Sequence, residues 1–316
     1  MASGRSETVG GVAPAPRAGP AESGRLMRWA TYASTATALT LITLKLLAWW
    51  MTDSLALLSS LVDSLLDGTA SVMMLLAVRH SLVPADREHR FGHGKVEALA
   101  ALGQACLISG SALFLVFEAL RRLFAPAPVS HGELGLAVMA VSLVATFALT
   151  RFQNYVVRRT GSVAIRSDAL HYLSDLLMNA AVILALVLTS QLGWTLADPL
   201  LGLAIAAFIV RGAWRIGVDA YNMLMDRELP DDERRRIVEL VRQHSEVLGV
   251  HDLKTRTSGR TTFIQLHLEI DGGMTLYRAH AIAEAVEAEL QTAFPNAEVT
   301  IHQDPHVLSE ETPVYS

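Results

Sequence analysis

Two units are predicted for this chain, an α-helical membrane domain with six transmembrane helices and, after it, a small soluble α/β domain. Three observations predict them. Apolar stretches close to the roughly 20 residues that a spanning helix needs recur between residues 26 and 217. The composition is 51% hydrophobic with a mean hydropathy of +0.34, more apolar than an ordinary soluble chain. After Asp226 the apolar runs stop, and Pro230-Asp231-Asp232-Glu233 opens a mixed helix and strand pattern.

In chain order, residues 1–24 are rich in Gly, Ala, Pro and Ser and lack an apolar h-region, so they read as a disordered tail and not as a cleaved signal peptide. The membrane domain, 25–226, holds spans at 26–50, 55–79, 96–122, 133–156, 163–190 and 196–217, separated by short polar breaks. Orientation follows from Lys and Arg, which accumulate in cytoplasmic loops. Arg25 and Arg28 precede the first span; Arg79, Arg87, Arg90 and Lys95 flank the second connection; Arg151, Arg158, Arg159 and Arg166 flank the fourth. The connections around Thr52 to Ser54 and Ser190 to Thr195 carry none, and only Arg121 and Arg122 run against the trend. Both termini are therefore expected on the cytoplasmic side.

The soluble domain, 227–306, starts with Pro where no amide donor is needed and with acids in the first helical turn. Its expected elements are helix 231–243, strands 249–257 and 261–270 turning at Ser258-Gly259-Arg260, helix 276–293 and strand 297–303. A unit of about 75 residues is small for an independent core, so dimerisation or bound metal is expected to support it. Residues 307–316 form a C-terminal tail.

A net charge of −5 with a pI near 6.1 offers no basic surface of the kind nucleic acid requires, so no nucleic-acid partner is expected. The single cysteine, Cys106, lies in an apolar run, which excludes a disulfide framework and a Cys-based metal cluster. Any metal ligands must be His and carboxylate.

The second span reads Ser60-Leu61-Val62-Asp63-Ser64-Leu65-Leu66-Asp67, with two acids far from its ends. Each costs about 2.5–3.5 kcal/mol at the bilayer centre. Spaced i,i+4 they share a face with Cβ atoms roughly 5–6 Å apart, and two such anions repel unless a cation joins them. The fifth span repeats the spacing in His171 and Asp175. Together these residues supply one imidazole nitrogen and three carboxylate oxygens, a set suited to a tetrahedral ion. Without thiolates, tetrahedral N/O coordination favours Zn²⁺, with Cd²⁺, Fe²⁺, Mn²⁺ and Co²⁺ as alternatives. The bland reading pairs the acids with an intramembrane base or protonates them. Lys45 is the one base in the middle of the first span, its stem long enough to snorkel outward, and one Lys cannot neutralise three Asp.

Several segments, Ala48-Trp49-Trp50, Leu61 to Asp67, Phe91-Gly92-His93-Gly94-Lys95-Val96-Glu97, Leu170 to Asp175 and Ile301-His302-Gln303-Asp304-Pro305, resemble the cation diffusion facilitator family over nearly all of Arg25 to Pro305. The nearest branch is that of bacterial ferrous-iron and zinc efflux proteins. The resemblance implies a homodimer in the cytoplasmic (inner) membrane and a cytosolic domain of ferredoxin-like, metallochaperone-like shape. It implies a transport site of Asp63, Asp67, His171 and Asp175, with His at position 171 associated with zinc and cadmium. It implies a second site of Asp86, His89 and His93 in the connection between the second and third spans, beside Glu88; spacing alone leaves these as a solvated patch equally well. A binuclear cytosolic site follows from His251, His267, His280, His302 and Asp304, and a charge pair near the dimer's cytosolic face from Lys95 and Asp226. His80, His131, His244 and His306 stay unassigned.

The function implied is a secondary active transporter and not an enzyme: alternating access exports a divalent cation, Zn²⁺ foremost, in exchange for protons, with regulatory zinc on the cytosolic domain. A non-transporting membrane metal sensor and a membrane-bound metalloenzyme are the rival readings. Against the enzyme, four protein ligands leave no open position for water, and the chain has no HExxH or nucleophile-elbow motif.

Overall fold

The computed structural model describes residues 19–53, 55–124, 133–192, 194 and 196–306. Six long helices come first: α1 (Pro20–Thr52), α2 (Leu55–Ser81), α3 (Lys95–Phe124), α4 (Glu133–Thr160), α5 (Val163–Leu192) and α6 (Ala197–Leu224). Among the described residues, α1, α2, α3 and α6 are long and apolar enough to cross a membrane. This is a helical membrane domain. The small domain follows as α7 (Asp231–Arg242), β1 (Gly249–Ser258), β2 (Thr261–Asp271), α8 (Leu276–Ala293) and β3 (Ala297–His306).

The helices outrun the apolar stretches that announce them because polar end turns are held by caps and ion pairs. Residues 20–24, expected in the tail, form the first turn of α1, with Pro20 at its start and Glu22 paired to Arg159 of α4 at 3.0 Å. At the far end Asp53, in the left-handed region, donates its N–H to Trp49 O at 2.7 Å. Gly161, at φ 69°, ends α4. One residue later the Ser162 hydroxyl accepts from the Ile165 N–H at 3.2 Å and starts α5.

Packing follows membrane logic, with small residues inside and large apolar ones outside. The α3–α6 seam is built from Ala98, Ala101, Ala105 and Ala112 against Ile209, Ala213, Ile216 and Ala220. Leu99, Phe114 and Phe117 of α3, Val144 and Phe147 of α4 and Phe208 and Trp214 of α6 point outward. Met27, Met74, Val78, Val156 and Ile165 close one end of the α1, α2, α4 and α5 group.

In the small domain β1 pairs antiparallel with β2, and β2 pairs parallel with β3 across the α8 crossover. A full ferredoxin-like unit runs βαββαβ; here, among the described residues, no strand precedes α7 and the sheet has three strands. Alternation divides β2. Ile264, Leu266, Leu268 and Ile270 are buried, the first three in the core with Ile237 and Val241 of α7 and Val286 and Leu290 of α8. Gln265, His267 and Glu269 take the opposite face.

Candidate metal centres

The register of that sheet assembles the first centre. His251 lies opposite His267, and His267 opposite His302, so three imidazoles form one rung across three strands. Asp304, two residues beyond His302, takes the same face. Its Oδ2 is 2.8 Å from His267 Nδ1 and 3.2 Å from His251 Nε2, while Oδ1 is 3.2 Å from His302 Nε2. The ligand atoms of His251, His267 and Asp304 lie within 4.8 Å of one another, a group that suits one ion, and His302 stays outside it. A bulge after His251, with Asp252 at φ 47°, turns the Asp252 carboxylate to within 3.6 Å of His267 Nε2. Lys254, hydrogen-bonded to Asp252, holds that carboxyl below its usual range. His280 stands apart on α8, largely exposed and 3.4 Å from Glu284.

Sequence reasoning missed Glu269, whose Oε1 sits 3.0 Å from His251 Nδ1 and whose Oε2 sits 2.9 Å from His306 Nδ1. Its place two residues after His267 on one strand face was the available signal. Only the contact with His306 is a hydrogen bond; the one to His251 Nδ1 is not aligned as one, and that nitrogen is buried without a hydrogen-bond partner.

The second cluster follows α2. The Asp86 Oδ1 accepts the N–H groups of His89 at 2.6 Å and Glu88 at 2.9 Å, an Asx turn that leaves Oδ2 3.4 Å from His93 Nε2. Those backbone donors, the His89 N–H first, hold the Asp86 carboxyl below its usual range. Ligand atoms of Asp86, His89 and His93 lie within 4.8 Å of one another, and Glu88 contributes no side-chain atom to the group. His93 is buried and its Nδ1 has no hydrogen-bond partner.

The third cluster lies between α2 and α5. His171 Nε2 is 3.2 Å from Asp67 Oδ1 and 3.8 Å from Asp175 Oδ2, and these ligand atoms converge within 4.8 Å. None of these contacts is aligned as a hydrogen bond to that nitrogen, which is buried. Three donors facing one point without bonding each other fit a cation between them. Asp63, one turn away on α2, is exposed and stays outside the group. Lys45 does not snorkel outward: its Nζ donates to Ser64 Oγ at 2.6 Å and Ser60 O at 3.2 Å. Beside the cluster, the hydroxyls of Tyr172 and Ser71 lie 2.7 Å apart, and Ser34 of α1 joins Ser71 at 3.2 Å. Asp168, fully buried one turn before Tyr172, accepts from Gln153 of α4 at 2.6 Å.

The expected charge pair is also in contact, within one chain. Lys95 Nζ is 2.9 Å from Asp226 Oδ1. Arg256 of β1, which no local pattern marks, adds a contact at 3.3 Å to the same oxygen. Its guanidinium carbon lies 4.9 Å and 4.4 Å from the ring centres of Phe91 and Phe263, so it joins the α2–α3 connection to the sheet. Burial works to raise the Asp226 carboxyl, but the hydrogen bonds from Lys95 and Arg256 outweigh it and hold the group below its usual range. Of the four unassigned histidines, His244 pairs with Glu289 at 2.7 Å, His306 with Glu269, and His80 lies beside His93; His131 falls outside the described residues.

A family model described as the cation efflux transmembrane domain matches residues 31–225, and one described as the cation efflux protein cytoplasmic domain matches residues 229–306. The cation-efflux pump FieF of Salmonella arizonae is 49% identical over 282 residues, covering 89% of this chain and 94% of its own length. The pump of the same name from Escherichia fergusonii is 50% identical with the same coverage. Among solved structures, the metal-bound C-terminal domain of the CzcD transporter from Thermotoga maritima is 26% identical, covers 24% of this chain and 94% of its own, and has a TM-score of 0.23.

Proposed function

The chain belongs to the cation efflux, or cation diffusion facilitator, family, and from that premise we propose that it exports a divalent metal ion, Zn²⁺ foremost, across the inner membrane in exchange for protons. The observation that carries this reading is the convergence of Asp67, His171 and Asp175 between two helices of an apolar bundle. One imidazole with carboxylates suits zinc-class ions better than Ca²⁺ or Mg²⁺, which favour oxygen-only shells. Cd²⁺, Fe²⁺, Mn²⁺ and Co²⁺ are the competing cargoes. Asp63 completes the set when α2 and α5 shift against each other, so binding itself would favour one state of an alternating-access cycle.

Proton exchange follows from ligand chemistry. Imidazole and carboxylates bind metal only when deprotonated, so metal release and protonation are one competition. In this reading all six helices span the membrane with both termini cytoplasmic, so the small domain lies in the cytoplasm, where zinc at His251, His267, His302 and Asp304 would report metal load. A second copy is part of the proposal. The exposed apolar faces of α3 and α6 and the exposed His280 support a homodimer in which the partner covers them.

The experiment is Zn²⁺ flux in vesicles of reconstituted full-length protein under an imposed pH gradient. Flux that follows the gradient and disappears in His171→Ala supports antiport. Flux indifferent to pH refutes proton coupling, and flux unchanged in both Asp67→Ala and His171→Ala refutes this transport site.

A further inference from the structure

We propose that His80 is a fourth ligand of the α2–α3 loop site, so that a zinc-class cation held there fastens the last turn of α2 to the segment that opens α3. The proposal rests on Asp86, His89 and His93 forming a metal site. Those three residues supply one oxygen and two nitrogen donors, one short of the four protein ligands that close a tetrahedral structural site. His93 lies between two imidazoles. Its ring centre is 4.6 Å from that of His89 and 4.6 Å from that of His80, the latter edge to face at 66°. Metal–nitrogen bonds of about 2.0–2.1 Å at a tetrahedral angle put two ligating rings about 5 Å centre to centre. Both spacings are compatible with co-ligands, but the His80 nitrogens stand outside the group formed by Asp86, His89 and His93, so His80 joins it by a change of rotamer.

The surrounding bonding leaves the donors available. Asp86 uses Oδ1 for its backbone turn and presents Oδ2 to the cluster. The buried His93 ring has an unpartnered Nδ1 and only a 3.4 Å approach to Asp86 at Nε2, so no strong hydrogen bond commits it elsewhere. His80 is exposed on the final turn of α2 and can change rotamer without repacking a core.

A metal with this fourth ligand does more than store an ion. His80 and Asp67 are 13 residues apart on α2, about 20 Å of helix at 1.5 Å per residue. The loop ion would brace, from its end, the helix that carries a carboxylate of the intramembrane cluster.

The test uses full-length protein in nanodiscs carrying His171→Ala and His267→Ala to silence the other two centres, titrated with Zn²⁺ against a chromophoric chelator. In this background His80→Ala weakens the remaining site at least about tenfold. His80→Cys, which restores a donor, recovers most of the affinity, and Asp86→Ala abolishes binding. If His80→Ala binds as tightly as its parent while Asp86→Ala does not bind, the loop site stands and His80 is not its ligand. Equal losses in His80→Ala and His80→Cys also overturn the proposal, since the effect is then structural. Undiminished binding in Asp86→Ala removes the loop site itself, and the fourth ligand with it.

Discussion

The Tyr172 hydroxyl lies 2.7 Å from the Ser71 hydroxyl, and each residue neighbours a member of the intramembrane cluster: Tyr172 follows His171, and Ser71 is one helical turn after Asp67. This hydrogen bond ties α5 to α2 one residue from His171 and one turn from Asp67.

Tyr172→Phe keeps the ring and removes the bond. A buried hydrogen bond contributes about 1 kcal/mol net, so zinc affinity at this site is expected to fall about fivefold. Competition titration with a chelator measures it, and the cytosolic site serves as the internal control because the change leaves its affinity intact.

His171→Asp exchanges the nitrogen donor for oxygen. The expected outcome is a shift of transport preference from Zn²⁺ toward Mn²⁺, read as the ratio of the two fluxes in the same vesicles. An unaltered ratio separates metal choice from this ligand.

In the sheet, His267 occupies the middle of the rung and His302 its edge. A zinc ion bound there would stabilise the fold by binding the native state, so the rise in Tm on adding zinc should shrink more for His267→Ala than for His302→Ala. Zinc binding by the intramembrane cluster should persist in both variants. Calorimetry and chelator titration on the same samples check the two halves of this prediction.

The Lys95–Asp226–Arg256 link has a defined pH window. Its carboxyl is depressed from an ordinary value of 3.8, so its contribution is fully present above about pH 4 and disappears as pH falls through the lower folded value. Contact between the sheet and the α2–α3 connection should therefore be insensitive to pH between 8 and 6. Asp226→Asn should loosen it at every pH above about 4, measured as faster amide exchange at residues 255–257.

Legibility differed between the two domains for physical reasons. The i,i+4 pairs Asp63 with Asp67 and His171 with Asp175 stand out because a charge in an apolar span is costly and helical spacing fixes which residues share a face. The start of α1 at Pro20 was hidden because its first turn is polar and is held by Glu22 reaching Arg159, far away in sequence. Arg256 and His80 were hidden for a related reason: their neighbours Phe91 and His93 come from other elements, and nothing in the surrounding residues announces the contact. Glu269 carried one local sign, its place two residues after His267 on the same strand face.

Hydrophobic runs, their Lys and Arg flanks and the absence of thiolates determined a helical membrane domain, a small α/β unit and a His and carboxylate chemistry from composition and spacing alone, since these depend only on local period and transfer free energy. The tertiary structure decided which donors meet. Strand register puts His251, His267 and His302 on one rung, helix packing brings Asp67 to His171 while leaving Asp63 aside, and the loop after α2 folds His93 back against His80. Such meetings depend on long-range packing, which spacing along the chain does not encode.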